Sequence, residues 1–153
     1  MRESSNPIPL RILVAEDDPL VRRDLRESLE SAGFAVCAEA HDGLEAVALA
    51  RATLPDVALV DVEMPTLDGL EACRRILAER PIPVVVLTGH ADDDVVARAV
   101  TAGVFAYVLK PFREEELAPA IQTAVARHAE LASVRRRSSD TRVTFHTPRA
   151  GRL

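Results

Sequence analysis

The residues with chemical potential in this sequence are acids, one hydroxyl and one amine, each standing at the end of a short apolar run. The acids are Glu16-Asp17-Asp18 and, further on, Asp61. The hydroxyl is Thr88, and the amine is Lys110, the only lysine in the chain. Carboxylates drawn to within 4 Å repel by on the order of 4 kcal/mol per pair at an effective dielectric near 20. A divalent cation relieves that repulsion, and hard oxygen ligands favour Mg2+. Phosphoryl transfer to a carboxylate needs an in-line nucleophile and charge neutralisation on the equatorial oxygens. Asp61 suits the nucleophile, Mg2+ and Lys110 the positive charge, and Thr88 a hydroxyl donor. An acyl phosphate on aspartate is a well-precedented covalent intermediate.

Such a site exists only if the chain brings the ends of the runs together. Five runs rich in Val, Leu, Ile or Ala read as strands: Arg11–Ala15, Ala35–Ala38, Val57–Val60, Val84–Leu87 and Phe105–Leu109. The first, third and fourth have the continuous apolar character of strands buried on both faces. The segments between them have helical period, with Val21, Leu25 and Leu29 on one face of the first and Leu70, Cys73, Ile76 and Leu77 on one face of the third. Leu117, Ile121, Ala124 and Val125 make the same stripe in the fifth. Gly33 and Gly103 are placed as C-terminal caps, and Pro19 suits a first helical turn. Pro119 conflicts with the fifth helix, which is expected to start near Leu117 or to kink. Strand and helix alternating five times predict a parallel α/β sheet covered on both faces. In such sheets ligands bind at the carboxyl ends of the strands, where the candidate residues stand.

The remaining features bound the class. The chain has 153 residues, 48% hydrophobic and 28% charged, with net charge −5. Residues 1–130 hold 23 acids against 13 Lys/Arg, whereas residues 131–153 hold one acid and six arginines. An acidic body with a basic end suggests an interaction tail. Cys37 and Cys73 have no metal-ligand spacing and read as core thiols. His41, His90, His128 and His146 share no metal spacing either. No stretch is apolar and long enough for a membrane span, and the polar Met1–Pro9 segment does not look like a secretory signal, so a cytoplasmic location is expected. The boundaries read as a disordered arm over 1–8, a folded domain over 9–132 and a basic flexible tail over 133–153.

Five segments, in order and in register, resemble the response-regulator receiver family of two-component signalling. They are Ile12-Leu13-Val14-Ala15-Glu16-Asp17-Asp18, Asp56-Val57-Ala58-Leu59-Val60-Asp61-Val62-Glu63-Met64-Pro65, Leu67-Asp68-Gly69, Val85-Val86-Leu87-Thr88-Gly89 and Tyr107-Val108-Leu109-Lys110-Pro111-Phe112. The resemblance implies a flavodoxin-like, doubly wound five-stranded parallel sheet of order 2-1-3-4-5 with five helices. It implies Asp61 as phosphoacceptor, with Thr88 and Lys110 on the phosphoryl oxygens. Asp17, Asp61 and the backbone carbonyl of Glu63 would be the Mg2+ ligands, and Glu16, the other acid of the pair, would hold a metal-bound water. It implies a cis Lys110–Pro111 peptide and a switch pair of Thr88 and Tyr107 that remodels a face made by helix four, strand five and helix five. Glu63 and His90 fall at positions where family variants modulate dephosphorylation. A phosphoprotein of this kind catalyses its own Mg2+-dependent phosphorylation and autodephosphorylation without being a classical enzyme. Its partners are a histidine kinase or histidine phosphotransfer protein and a downstream protein, with a homodimer open.

The segment from Ala118 to Leu131 is also similar to receivers that precede an RNA-binding antitermination (ANTAR) domain. Such an output domain needs further helices with an apolar pattern of their own, and none follows Ser133, so it is expected to be lacking. An alternative function, nucleic-acid-associated regulation, rests on the arginine-rich tail alone. A Mg2+-dependent hydrolase of the aspartyl-phosphate type expects an aspartate two residues after the nucleophile, where this chain has Glu63. Plainer readings stand beside the sharp ones. Asp18 and Asp92–Asp94 fit helix N-terminal acids, Asp68-Gly69 a turn, Thr88 a cap of the fourth helix, and Tyr107 a static, half-buried core residue.

Overall fold

The computed structural model describes residues 8–90 and 92–145, with side chains as far as Val134. Five strands alternate with five helices: β1 Arg11–Ala15, α1 Pro19–Ser31, β2 Ala35–Ala40, α2 Gly43–Thr53, β3 Val57–Asp61, α3 Gly69–Glu79, β4 Val84–Thr88, α4 Asp93–Ala102, β5 Ala106–Leu109 and α5 Glu114–Phe145. All strand pairs are parallel, in the order β2-β1-β3-β4-β5. The expected doubly wound sheet is therefore the fold.

Side chains of a strand alternate between faces, and this divides the interior in two. Leu13, Ala15, Ala58, Val60, Val84 and Val86 join one cluster with Ala46, Leu70, Cys73, Ile76 and Ala99, from α2, α3 and α4. Ile12, Val14, Val57, Leu59, Val85 and Leu87 join the other with Leu25, Leu29, Leu117, Ile121 and Ala124, from α1 and α5. β3 and β4 are buried at every residue. β5 lies at an edge and leaves Tyr107 and Leu109 half exposed.

Local chemistry sets the helix ends. Asp18, Asp42, Asp68 and Asp92 cap α1 to α4, each side chain accepting a backbone N–H of the first turn. Thus Asp92, and not Thr88, caps α4. α1 and α4 close with Gly33 (φ 97°) and Gly103 (φ 90°) in the left-handed region. The N–H groups of Phe34 and Val104 return to the carbonyls of Leu29 and Ala99, the pairing that uses up final-turn carbonyls. α2 closes instead on Leu54, a left-handed residue without glycine's freedom, which no sequence signal announces.

Two expectations change at α5. The helix contains Pro119 within its second turn instead of starting near Leu117, since Glu114–Glu116 already form its first turn. It also continues past Ser133 to Phe145, taking in the Arg135–Arg137 run, where the sequence pattern predicts a flexible tail. Arginine favours helix, and no Gly or Pro interrupts between Ser133 and Pro148. The end of the proposed tail, residues 146–153, and most of the proposed arm, residues 1–7, lie outside the described residues. No helix among the described residues is long and apolar enough to cross a membrane.

Candidate functional site

Strands β1 and β3 are neighbours, yet their following connections turn away to opposite faces of the sheet. The crevice between those connections is where acids converge. Ala15 pairs with Val60, so Glu16 and Asp61 emerge side by side at the carboxyl ends of the two strands. Both are only 1% exposed, while Asp17 lies open to solvent. One carboxylate oxygen from each of Glu16, Asp17 and Asp61 lies within 4.8 Å of the others. Lys110 enters from the end of β5. Its Nζ stands 2.9 Å from Asp61 Oδ2 and 3.2 Å from Glu16 Oε1, and its peptide bond to Pro111 is cis. Lys110 is thus a bridging cation and not a solvated surface lysine.

The rim is completed by three loops. Glu63 N donates to Asp61 Oδ1 at 3.1 Å, so both oxygens of Asp61 already have a donor. Thr88, buried at the end of β4, donates its hydroxyl to the His90 carbonyl at 2.6 Å and accepts from His90 N at 3.0 Å. In this arrangement the hydroxyl belongs to the loop after β4. The side chains of Glu63 and His90 meet above, with His90 Nε2 3.6 Å from Glu63 Oε2. Tyr107 stands apart on β5, 49% exposed.

The electrostatics favour a cation. Burial pushes the Glu16 carboxyl up to about 7, against the hydrogen bond from Asp18 N; the Asp61 charge adds to the rise and Lys110 opposes it. Burial alone would lower the Lys110 ammonium, but its hydrogen bond to Asp61 and the charges of Asp61 and Glu16 outweigh that and hold it above its ordinary value. One ammonium therefore serves the two buried carboxylates, with that of Asp17 beside them. Glu16 Oε1 is buried, and its one contact among the described residues is the Lys110 ammonium at 3.2 Å. Two buried carboxylates that share a single ammonium, with a third carboxylate within 4.8 Å, make a donor set that a hard divalent cation satisfies.

Sequence reasoning missed two contributors. Gly69 was read as a turn residue, but a Cβ there would meet the Asp61 carbonyl oxygen at 1.9 Å, so only glycine lets α3 start this close to the acid. Its neighbour Asp68 supplied the signal, as an N-cap. Arg22 donates from Nη1 to the Glu16 carbonyl at 2.7 Å. Nothing in the sequence distinguishes it from the adjacent Arg23.

Comparison with known proteins agrees with this geometry. Residues 12–122 match the response regulator receiver domain. The chain is 45% identical over 127 residues to the transcriptional regulatory protein PdtaR of Mycobacterium tuberculosis, covering 83% of this chain and 62% of that protein. It is 38% identical over 129 residues to the transcriptional regulatory protein CseB of Streptomyces avermitilis, covering 84% and 54%. The signal receiver domain of a modulated diguanylate cyclase from Desulfovibrio desulfuricans G20 superposes with a TM-score of 0.73 at 32% identity, over 80% of this chain and 98% of that one. The chain belongs to the response regulator receiver domain family. It spans less than two thirds of the length of these curated relatives.

Proposed function

We propose that this receiver takes a phosphoryl group onto Asp61 from a histidine kinase or histidine phosphotransfer protein, with Mg2+ held at the acidic rim. The observation that carries the reading is the convergence of Glu16, Asp17 and Asp61 oxygens within 4.8 Å, with Lys110 Nζ 2.9 Å from Asp61. The carboxylates of Asp17 and Asp61 and the backbone carbonyl of Glu63 would hold the metal, with Glu16 beside them. Bound Mg2+ supplies charge that offsets the clustered acids and the incoming phosphoryl oxygens.

An Asp61 carboxylate oxygen attacks phosphorus in line, the O–P bond forms, and the bond to the donor's imidazole nitrogen breaks. The leaving electron pair stays on that nitrogen, which takes up a proton. Lys110 follows the charge from the carboxylate to the phosphoryl oxygens, and the Thr88 hydroxyl leaves His90 to donate to them. Fixed donors at the place where charge develops are what lower such barriers.

The output surface would be the face of α4, β5 and α5, where Tyr107 is the switch. A groove of about 420 Å3 there is lined by Val96, Val100, Ala106, Tyr107, Pro119 and Ala120, among others. A downstream protein is the partner that such an apolar groove suits. Incubation with acetyl phosphate and Mg2+ is expected to add one phosphoryl group by intact-mass measurement, and Asp61→Asn to abolish it. Equal labelling of the Asn variant would overturn the assignment.

A further inference from the structure

Asp17 is the weak point of the acidic rim. It is exposed, and among the described residues its carboxylate accepts no hydrogen bond. Glu16 and Asp61, by contrast, are buried and tied by Asp18 N, Glu63 N and Lys110. The direction of the Asp17 side chain therefore depends on the backbone that carries it, and in particular on the peptide unit joining Glu16 to Asp17. The carbonyl of that unit is where Arg22 Nη1 donates, at 2.7 Å. The preceding unit is held by Glu16 N donating to Ala40 O at 3.0 Å, at the end of β2. Arg22 reaches back from the first turns of α1 and is steadied by Glu39 of β2, whose Oε1 lies 3.4 Å from Arg22 Nε and whose Oε2 lies 2.9 Å from Arg26 Nη1.

We infer that Arg22, oriented by Glu39, is a positioning residue for the cation site, fixing the Glu16–Asp17 peptide so that the Asp17 carboxylate faces Glu16 and Asp61. The inference rests on the Mg2+ reading above. Partners of this kind, which touch a ligand's support and not the metal, typically change affinity by about 10- to 100-fold when removed. A surface ion pair without that duty would change it little. Arginine suits the task because its planar fork serves the carbonyl and Glu39 at once, which a lysine head cannot do in the same geometry.

The test is Mg2+ titration of the full chain by calorimetry. Arg22→Ala is expected to raise the Kd for Mg2+ about tenfold, with the metal-free melting temperature within about 3 °C of the parent and phosphorylation restored at saturating Mg2+. Arg22→Lys, which keeps one donor toward Glu16 O, should fall between the two. An unchanged Kd in Arg22→Ala overturns the inference. If that variant fails to fold, Glu39→Gln decides in its place: weaker Mg2+ binding supports the role, and binding equal to the parent overturns it. A parent protein that binds no Mg2+ at all fails the broader reading of the site, a result separate from the comparison of variants.

Discussion

At the residue scale, the site works by unequal sharing of charge. Among the described residues, Lys110 is the only cation that bridges Glu16 and Asp61, and its distances of 3.2 and 2.9 Å leave it shared between them. Lys110→Ala is expected to slow labelling by acetyl phosphate about 100-fold, the cost of removing one fixed donor from a developing charge; a time course of intact mass checks it, and an unchanged rate would remove Lys110 from the mechanism. Cys73 makes the opposite point. Burial pushes its thiol up to about 12, with the Asp68 charge adding to the rise. The thiolate is the reactive form, so at pH 8 almost none is present while the fold holds. Iodoacetamide at pH 8 is expected to modify half-buried Cys37 before Cys73, with Cys73 following only on unfolding in urea. Equal rates for the two by peptide mass spectrometry would contradict this.

At the scale of elements, the carboxyl end of β3 and the start of α3 are locked by close approach. Gly69 N donates to Val62 O at 2.8 Å, and the missing Cβ leaves room for the Asp61 carbonyl. Gly69→Ala forces backbone against backbone, where no flexible side chain can yield. It is expected to destabilise the fold by about 2 kcal/mol or more, measured by urea unfolding, and to weaken labelling of Asp61 by displacing it. Stability equal to the parent would show that α3 can shift without cost. Such an approach is invisible in a string of letters. Asp68-Gly69 reads as a turn, but the reason glycine is required lies across space at Asp61.

At the scale of the molecule, both hydrophobic clusters end well before α5 does. Among the described residues, the last α5 side chains in these clusters are Ala124 and Val125, whereas the helix continues to Phe145. Truncation after Val134 is therefore expected to leave the melting temperature within about 3 °C of the full chain and acetyl phosphate labelling unchanged. A larger loss, seen by circular dichroism, would mean that the distal helix supports the fold.

Strand alternation, the acids at the starts of α1 and α4, and the Gly33 and Gly103 stops were legible because they are local: period, helix-end charge and left-handed φ are properties of a few consecutive residues. The receiver family was legible because five short segments kept their order and spacing, and with them came Glu16, Asp17, Asp61, Thr88 and Lys110 as candidates. The tertiary structure alone decided that Lys110 bridges two buried acids, that Thr88 turns its hydroxyl to His90, and that Arg22 instead of Arg23 holds the Glu16 carbonyl. It also carried α5 past the arginine run where sequence pattern placed a tail. The Lys110 bridge depends on distances between strands far apart in the chain, and the Thr88 and Arg22 contacts on the exact direction of side chains. Hydrogen bonding and Coulomb energy change over fractions of an ångström there, and residue type and spacing along the chain do not encode that scale.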